Sequence, residues 1–532
     1  MRLLLSALFA GVLCSAQPAS AQALPDNVRA AGVTVAQWRA VQDEVQRAAA
    51  ARGASERALA AVAERVSANL VVNGRFDLDQ VLVSIDERAQ QVAELQSQLT
   101  AMQQADDPAV AALLSQARAA IEVGDLTRGD QLLAQAAQSD LAGIARDRAR
   151  LAARQTRAAQ TVGERGRLAY IAADYLSAAT FYAQSAQTAP DSDAHGQWMY
   201  RRLQAASLLK RGELFGETTH LREAVRIYRE VLPLVPRAMH PADWAMTHHY
   251  MGHALRVLGE RGDNQALEES IIVFRAALEV RTRSDAPSDW ATIQGGLGTA
   301  LFVLGDRGND QALRDAIVAF RAAIEVDTRE RAPALWAIHQ TNLANALRVQ
   351  GERSGAEQPL RESVAAYRAV LEIWTSTNNP ERWALVQANL GNALMRLGDE
   401  QAVHDAITAH RAALEVHTRE RSPVLWARGQ NNLGVALTKL GERGDDQALR
   451  DAVSAFRAAL EVRTRSEDLH GWADSQLCLA NALGMLVDRG DSSHLDEALA
   501  SAHAALEGYQ QTHDAFWIGQ AQTLIGALEA MR

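Results

Sequence analysis

Between Trp290 and Ile324 the apolar residues fall into two stripes at helical spacing. Trp290, Ile293, Leu297, Leu301 and Leu304 share one face of a first helix; Leu313, Ala316, Ile317, Phe320, Ala323 and Ile324 share one face of a second. The polar stretch between them reads Gly305-Asp306-Arg307-Gly308-Asn309-Asp310. Gly305 is placed to end the first helix as a C-cap glycine, and Asn309 or Asp310 to cap the second. Pro287, three residues before the tryptophan, suits a first helical position, where no amide bond is lost. Two helices with one apolar face each cannot enclose a core alone, so they need neighbours.

The chain supplies them. Tryptophans stand at Trp198, Trp244, Trp290, Trp336, Trp383, Trp426, Trp472 and Trp517, at spacings of 46, 46, 46, 47, 43, 46 and 45. Prolines precede five of them by three residues: Pro241, Pro287, Pro333, Pro380 and Pro423. A repeat of this regularity makes a quasi-linear array in which each unit buries its faces against the next. The two irregular spacings come from the turns: Gly351 to Glu357 lengthens one and Gly398 to Gln401 shortens the next, while helical register is kept. The copy at Trp517 has only its first helix, expected to cover the exposed end of the array (517–532).

Upstream, residues 24–107 are helical but do not repeat. Helices are expected over about 35–51, after Gly53 and Ser55, and over about 78–104. In the last of these Ile85, Val92, Leu95, Leu99 and Met102 make one apolar seam, suited to a small bundle or to a coiled coil between chains. Residues 108–160 read as a hairpin around Gly124-Asp125 followed by a long helix rich in Arg and Ala.

Residues 166–190, GRLAYIAADYLSAATFYAQSAQTAP, carry small residues at Gly166, Ala169, Ala178 and Ser185, an aromatic at Tyr182 and a closing Pro190. This spacing resembles the tetratricopeptide repeat family. The long copies resemble the same family with additions: Leu297-Gly298, Leu301, Gly305, Ala316, Phe320 and Ala323 stand where the family places its helix contacts, turn glycine and second-helix aromatic. The resemblance implies an all-α chain, a right-handed α-solenoid of stacked helical hairpins behind a helical N-terminal region. The segments are then 24–107, the worn hairpin and long helix of 108–160, a short repeat at 161–197, seven long repeats over 198–516 and a capping helix.

Composition adds an address and some exclusions. Residues 1–23 resemble a secretory signal: Arg2, an apolar run from Leu3 to Leu13, and Ala19-Ser20-Ala21 or Ala21-Gln22-Ala23 for cleavage. A periplasmic protein is expected, and the run is too short for an ordinary membrane span. Leu13 before Cys14 does not suit lipid attachment. After cleavage Cys478 is the sole cysteine, so no disulfide within the chain is possible. A net charge of -10 disfavours nucleic-acid partners, whose phosphates need a basic face.

The candidates for chemistry are few. One tryptophan per repeat on the apolar stripe reads as packing between repeats. The acidic turns GERGDNQ, GDRGNDQ and GERGDDQ lack the alternating oxygen ligands of a calcium loop. His248, His249 and His253 lie on one helix, with His249 and His253 four apart. Tyr250 stands where a zincin needs glutamate, so a polar patch of His249, Tyr250 and His253 is expected rather than a metal site, and His240 would join it only by the accident of folding. No cofactor, metal or catalytic constellation is expected, and no enzyme.

The remaining signal is asparagine. Asn342, Asn389 and Asn432 stand six residues after their tryptophans; Asn345, Asn392 and Asn481 stand nine after theirs. The resemblance places both rows in a concave groove, where amides offer donor and acceptor to the backbone of an extended peptide. An exported scaffold or adaptor binding a segment of a partner protein is therefore expected; the alternative is a small-ligand or glycan sensor using His249, Tyr250 and His253.

Overall fold

The structure, a computed structural model, describes residues 24–69, 71–72, 75–76, 78–102, 107–143 and 148–532. The expected leader, residues 1–23, lies outside the described residues. The chain divides into two compact units, one up to Asp191 and one from Ser192.

The first unit holds α1 (Asp26–Ala30), α2 (Val35–Arg52), α3 (Glu56–Asn69), α4 (Leu78–Met102), α5 (Pro108–Glu122), α6 (Leu126–Gly143), α7 (Arg148–Ile171) and α8 (Tyr175–Thr188). Between α3 and α4 a two-residue antiparallel ladder, β1 (Val71–Val72) with β2 (Arg75–Phe76), is the one sheet among the described residues. Thr34 and Gln37 form a reciprocal capping box on α2, and Gly53 closes that helix in the left-handed region. The α4 seam of Ile85, Val92, Leu95 and Leu99 is buried, and α2, α3 and α5 pack on α4 within the unit. The seam is thus consumed inside the chain. The long Arg-rich helix and the first helix of the short repeat are one element, α7, which pairs with α8. Arg88 of α4 is buried, donating to the carbonyls of Tyr170 and Ile171 and, at 2.7 Å, to the Tyr175 hydroxyl. It satisfies the last carbonyls of α7, where the helix dipole favours a cation.

The second unit is seven helical hairpins and one further helix. The first helices, called A, are α9 (Ala194–Phe215), α11 (Pro241–Glu260), α13 (Pro287–Asp306), α15 (Pro333–Ser354), α17 (Pro380–Leu397), α19 (Pro423–Gly441) and α21 (Leu469–Asp488). The second helices, called B, are α10 (Thr218–Val231), α12 (Asn264–Leu278), α14 (Asp310–Ile324), α16 (Glu357–Leu371), α18 (Glu400–Val416), α20 (Asp446–Leu460) and α22 (Leu495–Thr512); α23 (Ala515–Glu529) follows. The five prolines open α11, α13, α15, α17 and α19. Asp263, Asn309, Asp399 and Asp445 cap their B helices through backbone amides. One detail differs from the expectation: Gly305 lies inside α13, which runs to Asp306, and it is Gly308 that takes positive φ. Gly305 is needed for close approach, since a Cβ there would sit 2.9 Å from the Leu313 Cα.

Each hairpin packs on the next. The core around α13 and α14 joins Leu297, Leu301, Ala316 and Phe320 to Phe274 of the preceding hairpin and Leu343 and Leu347 of the following one. Neighbouring A helices touch directly, as α11 does α13 and α13 does α15, whereas no B helix approaches the next B helix as closely among the described residues. The A side of this unit is therefore the tighter, inner side.

The tryptophans occupy the edge of this core rather than its interior. Trp290 is half-buried against Ala291, Ala323 and Val326 of its own hairpin. Its open face is covered by Arg283, 5.7 Å from the ring, and Arg237, Arg329, Arg419 and Arg465 cover Trp244, Trp336, Trp426 and Trp472 likewise. Only Trp198 of the eight is fully buried, its indole N–H donating to Thr247. α23 packs on α22, with Trp517 stacked on Tyr509.

Candidate protein-binding face on the A helices

The asparagines are half-buried on α15, α17, α19 and α21. Their two rows meet diagonally between hairpins. Asn432 donates its amide to Asn392 Oδ1 at 3.1 Å, and Asn389 donates to Asn345 Oδ1 in a longer contact of 3.5 Å. Asn345 Oδ1 also accepts from the Tyr367 hydroxyl, whose pKa burial raises well above its usual value. The first-row residue of one hairpin thus reaches the second-row residue of the hairpin before it. One half of each paired amide is engaged: Asn345 and Asn392 keep their N–H₂ groups, Asn389 and Asn432 their carbonyl oxygens. Among the described residues, Asn342 and Asn481 make no such pair. Val435, at the second-row place of α19, is 39% exposed. Asn431 on the same helix accepts from Ser475 of the next hairpin.

The expected histidine and tyrosine patch is arranged differently. His253 pairs with Glu213 of the preceding hairpin at 3.0 Å. Burial works against the Glu213 carboxylate, but the bond to His253 together with the charges of His253, Lys210 and Arg256 outweighs it and holds its pKa below the usual value. His249 packs edge-on to Tyr250 with Nδ1 sealed from solvent and unpartnered; burial, with repulsion from His253, pushes its pKa down to about 4. Tyr250 stacks on Tyr228 and lies under Arg202. His249 and His253 therefore do not converge on a common point. His240 instead comes together with His195 and Asp243, their ligand atoms all within 4.8 Å of one another. Cys478 is half-buried, and desolvation pushes its thiol pKa up to about 12.

What the sequence pattern held without being used was arginine. Three arginine rows run in register with the tryptophans. Turn arginines reach back to the last carbonyls of the preceding A helix: Arg307 to Gly259, Arg353 to Gly305 and Asp306, Arg489 to Gly441. Arg307 and Arg443 thus make the acidic turns GDRGNDQ and GERGDDQ cation clips on the end of the preceding A helix. The arginine after each B-helix aromatic pairs with a carboxylate of the next B helix, as in Arg229–Glu269, Arg321–Glu362 and Arg457–Glu497. The arginines over the tryptophans pair with the end of the following B helix, as in Arg283–Glu325. Periodicity of charge was as legible as that of tryptophan.

No curated protein matches the chain. Solved structures do. A signal-transduction ATPase with a tetratricopeptide repeat sensor from Pyrococcus horikoshii is 11% identical, with 87% of this chain and 69% of that one covered and a TM-score of 0.50. Apo RapI is 12% identical over 70% of this chain and 97% of that one, at a TM-score of 0.44. IFIT1 with Gppp-AAAA is 14% identical over 92% and 95%, at 0.40. At 11% identity the likeness to the Pyrococcus horikoshii protein is one of fold alone. No helix among the described residues is long and apolar enough to cross a membrane. The tetratricopeptide repeat model itself matches residues 336–381, one full copy of the unit that recurs in register through α9 to α22. The chain folds as an α-solenoid of stacked helical hairpins of the tetratricopeptide-repeat kind, with the family's model matched over one of its copies.

Proposed function

We propose that the chain is an exported scaffold that holds an extended segment of a partner protein against the A helices α15 to α21. A single observation carries the reading: four asparagines of the inner face, Asn345, Asn389, Asn392 and Asn432, hydrogen-bond in pairs between hairpins, which fixes their orientation while leaving a donor or acceptor group of each amide open. Amides so held need little further ordering when they meet the N–H and C=O groups of a bound backbone. Recognition of this kind follows chain shape, and the exposed Val435 adds a shallow apolar contact beside it. The small-ligand alternative loses support because His249, Tyr250 and His253 are already engaged with residues of their own fold. The leader-like residues 1–23 support export, and N-terminal sequencing of the protein recovered from cells should begin at Gln22 or Leu24; an intact Met1 would remove export from the reading.

The test is photo-crosslinking in living cells from position 435, which shares the second row but makes no hydrogen bond, with position 318 on the outer B side as control. Val318 is 66% exposed. A discrete protein adduct from 435 alone is expected. Equal adducts from both positions, or none from 435, would overturn the assignment of the binding face.

A further inference from the structure

The hairpins are near-copies, so a polar cluster that breaks the copying is informative. At the junction of α9 and α11 three such residues meet. His195, three residues before Trp198, takes the place that proline holds in five other copies. His240 is the N-cap residue of α11, and Asp243 lies in its first turn. In the next hairpin the residue matching Asp243 is Asp289, which is paired with Arg281 at 3.3 Å, and the residue matching His240 is Ala286. Asp243 instead faces two imidazoles: His195 Nδ1 lies 3.4 Å from its Oδ2 and His240 Nδ1 lies 4.0 Å from the same oxygen. The two rings are 6.2 Å apart between centroids, and His195 leans on Trp198 at 5.0 Å, which restrains its ring.

We propose that His195 Nδ1, His240 Nδ1 and an Asp243 carboxylate oxygen bind one divalent cation of the zinc class. Two ligands on a tetrahedral zinc ion at about 2.0–2.1 Å stand roughly 3.4 Å apart, which the His195–Asp243 pair already matches. His240 has to close by under about 1 Å from its present position relative to Asp243 to reach the same spacing, and its side chain is 40% exposed and free to turn. Two neutral imidazoles and one carboxylate give a donor set of charge minus one that suits zinc, copper or nickel and is poor for magnesium or calcium, which take oxygen ligands. Three protein ligands leave a fourth position toward solvent, filled by water or by a carboxylate from outside the chain. The ion would tie the start of α9 to the start of α11, a cross-link between the first two long hairpins that no other junction repeats among the described residues.

The test uses the full mature chain, stripped with a chelator and then titrated with Zn²⁺ at pH 7.5 against a chromophoric competitor. One equivalent per chain is expected. Affinity should fall at least tenfold in His195→Ala or His240→Ala and be lost in the double variant, with no uptake of Mg²⁺. Circular dichroism and metal-free melting should be unchanged in the variants, because both histidines are at the surface. No Zn²⁺ held at micromolar competitor, or equal uptake by the double variant through others of the 14 histidines, would overturn the site.

Discussion

The two units solve the same problem, joining helices end to side, in opposite ways. The first uses a unique buried contact: Arg88 enters from α4 and holds the C-terminal carbonyls of α7 and the Tyr175 hydroxyl at once. The second uses many exposed copies of a weaker device, arginines that clip helix ends or pair across B helices from one hairpin to the next. A buried ion with several partners is worth much and fails as a whole. An exposed pair is worth little, and the array depends on the sum over its interfaces. Unique contacts suit a bundle with no internal symmetry; repeated ones suit an array in which every interface must work with the same parts.

Several measurements break or sharpen this contrast. The largest effect is expected for Arg88→Ala, which strands buried carbonyls and the Tyr175 hydroxyl; a loss of about 3 kcal/mol should appear in urea denaturation as a shift of the transition of the first unit. Next comes Gly298→Leu. A Cβ at this position already meets Phe320 at 2.7 Å, so overpacking should cost about 2 kcal/mol, read as a lowered melting temperature of the second unit.

His410 is a smaller case with a pH signature. It stands where five of the other six B helices carry Tyr or Phe, is fully buried with both ring nitrogens unpartnered, and burial pushes its pKa down to about 4. The unfolded chain, with an ordinary histidine, takes up the proton first as pH falls. Stability is therefore whole above about pH 6.5 and is lost progressively toward pH 4. His410→Phe should gain about 1 kcal/mol at pH 7, and its advantage should widen through that window. A constant gap between variant and parent would show that the ring is not titrating.

The smallest effect is expected for Arg457→Ala. Its pair with Glu497 is half-exposed on both sides, and the loss should be no more than about 0.5 kcal/mol. Removing Arg229, Arg321 and Arg457 together should give close to the sum of the single losses, because the rungs share no partner. A loss several times that sum would mean the ladder acts cooperatively, and the contrast between the units would fail.

Much of this fold was legible in particular residues. The five prolines before the tryptophans marked helix starts to the residue, since proline fixes its own φ and lacks the amide that a helix start leaves unpaired. Asp263, Asn309 and Asp445 marked the B-helix starts by the same local chemistry. Less was legible where the decision lay between segments. Gly305 carried a helix-end signal, yet Leu313 across the turn sets its role. The tryptophans carried a core signal, yet arginines from the preceding turn draw them to the edge. His249 and His253 shared a face by spacing, yet Glu213 claimed one and Tyr250 and Phe274 enclosed the other.

Sequence alone determined the architecture of this protein, because hydrophobic period, caps and turn residues are local, and a local pattern repeated in register can stack in only one way. Tertiary structure decided which residues meet across hairpins: that Asn432 reaches Asn392, that Arg489 reaches back 48 residues to the Gly441 carbonyl, and that His195 meets His240 and Asp243. Those contacts depend on the rise and rotation between successive hairpins, a quantity set by the packing of whole faces and written at no single position in the chain.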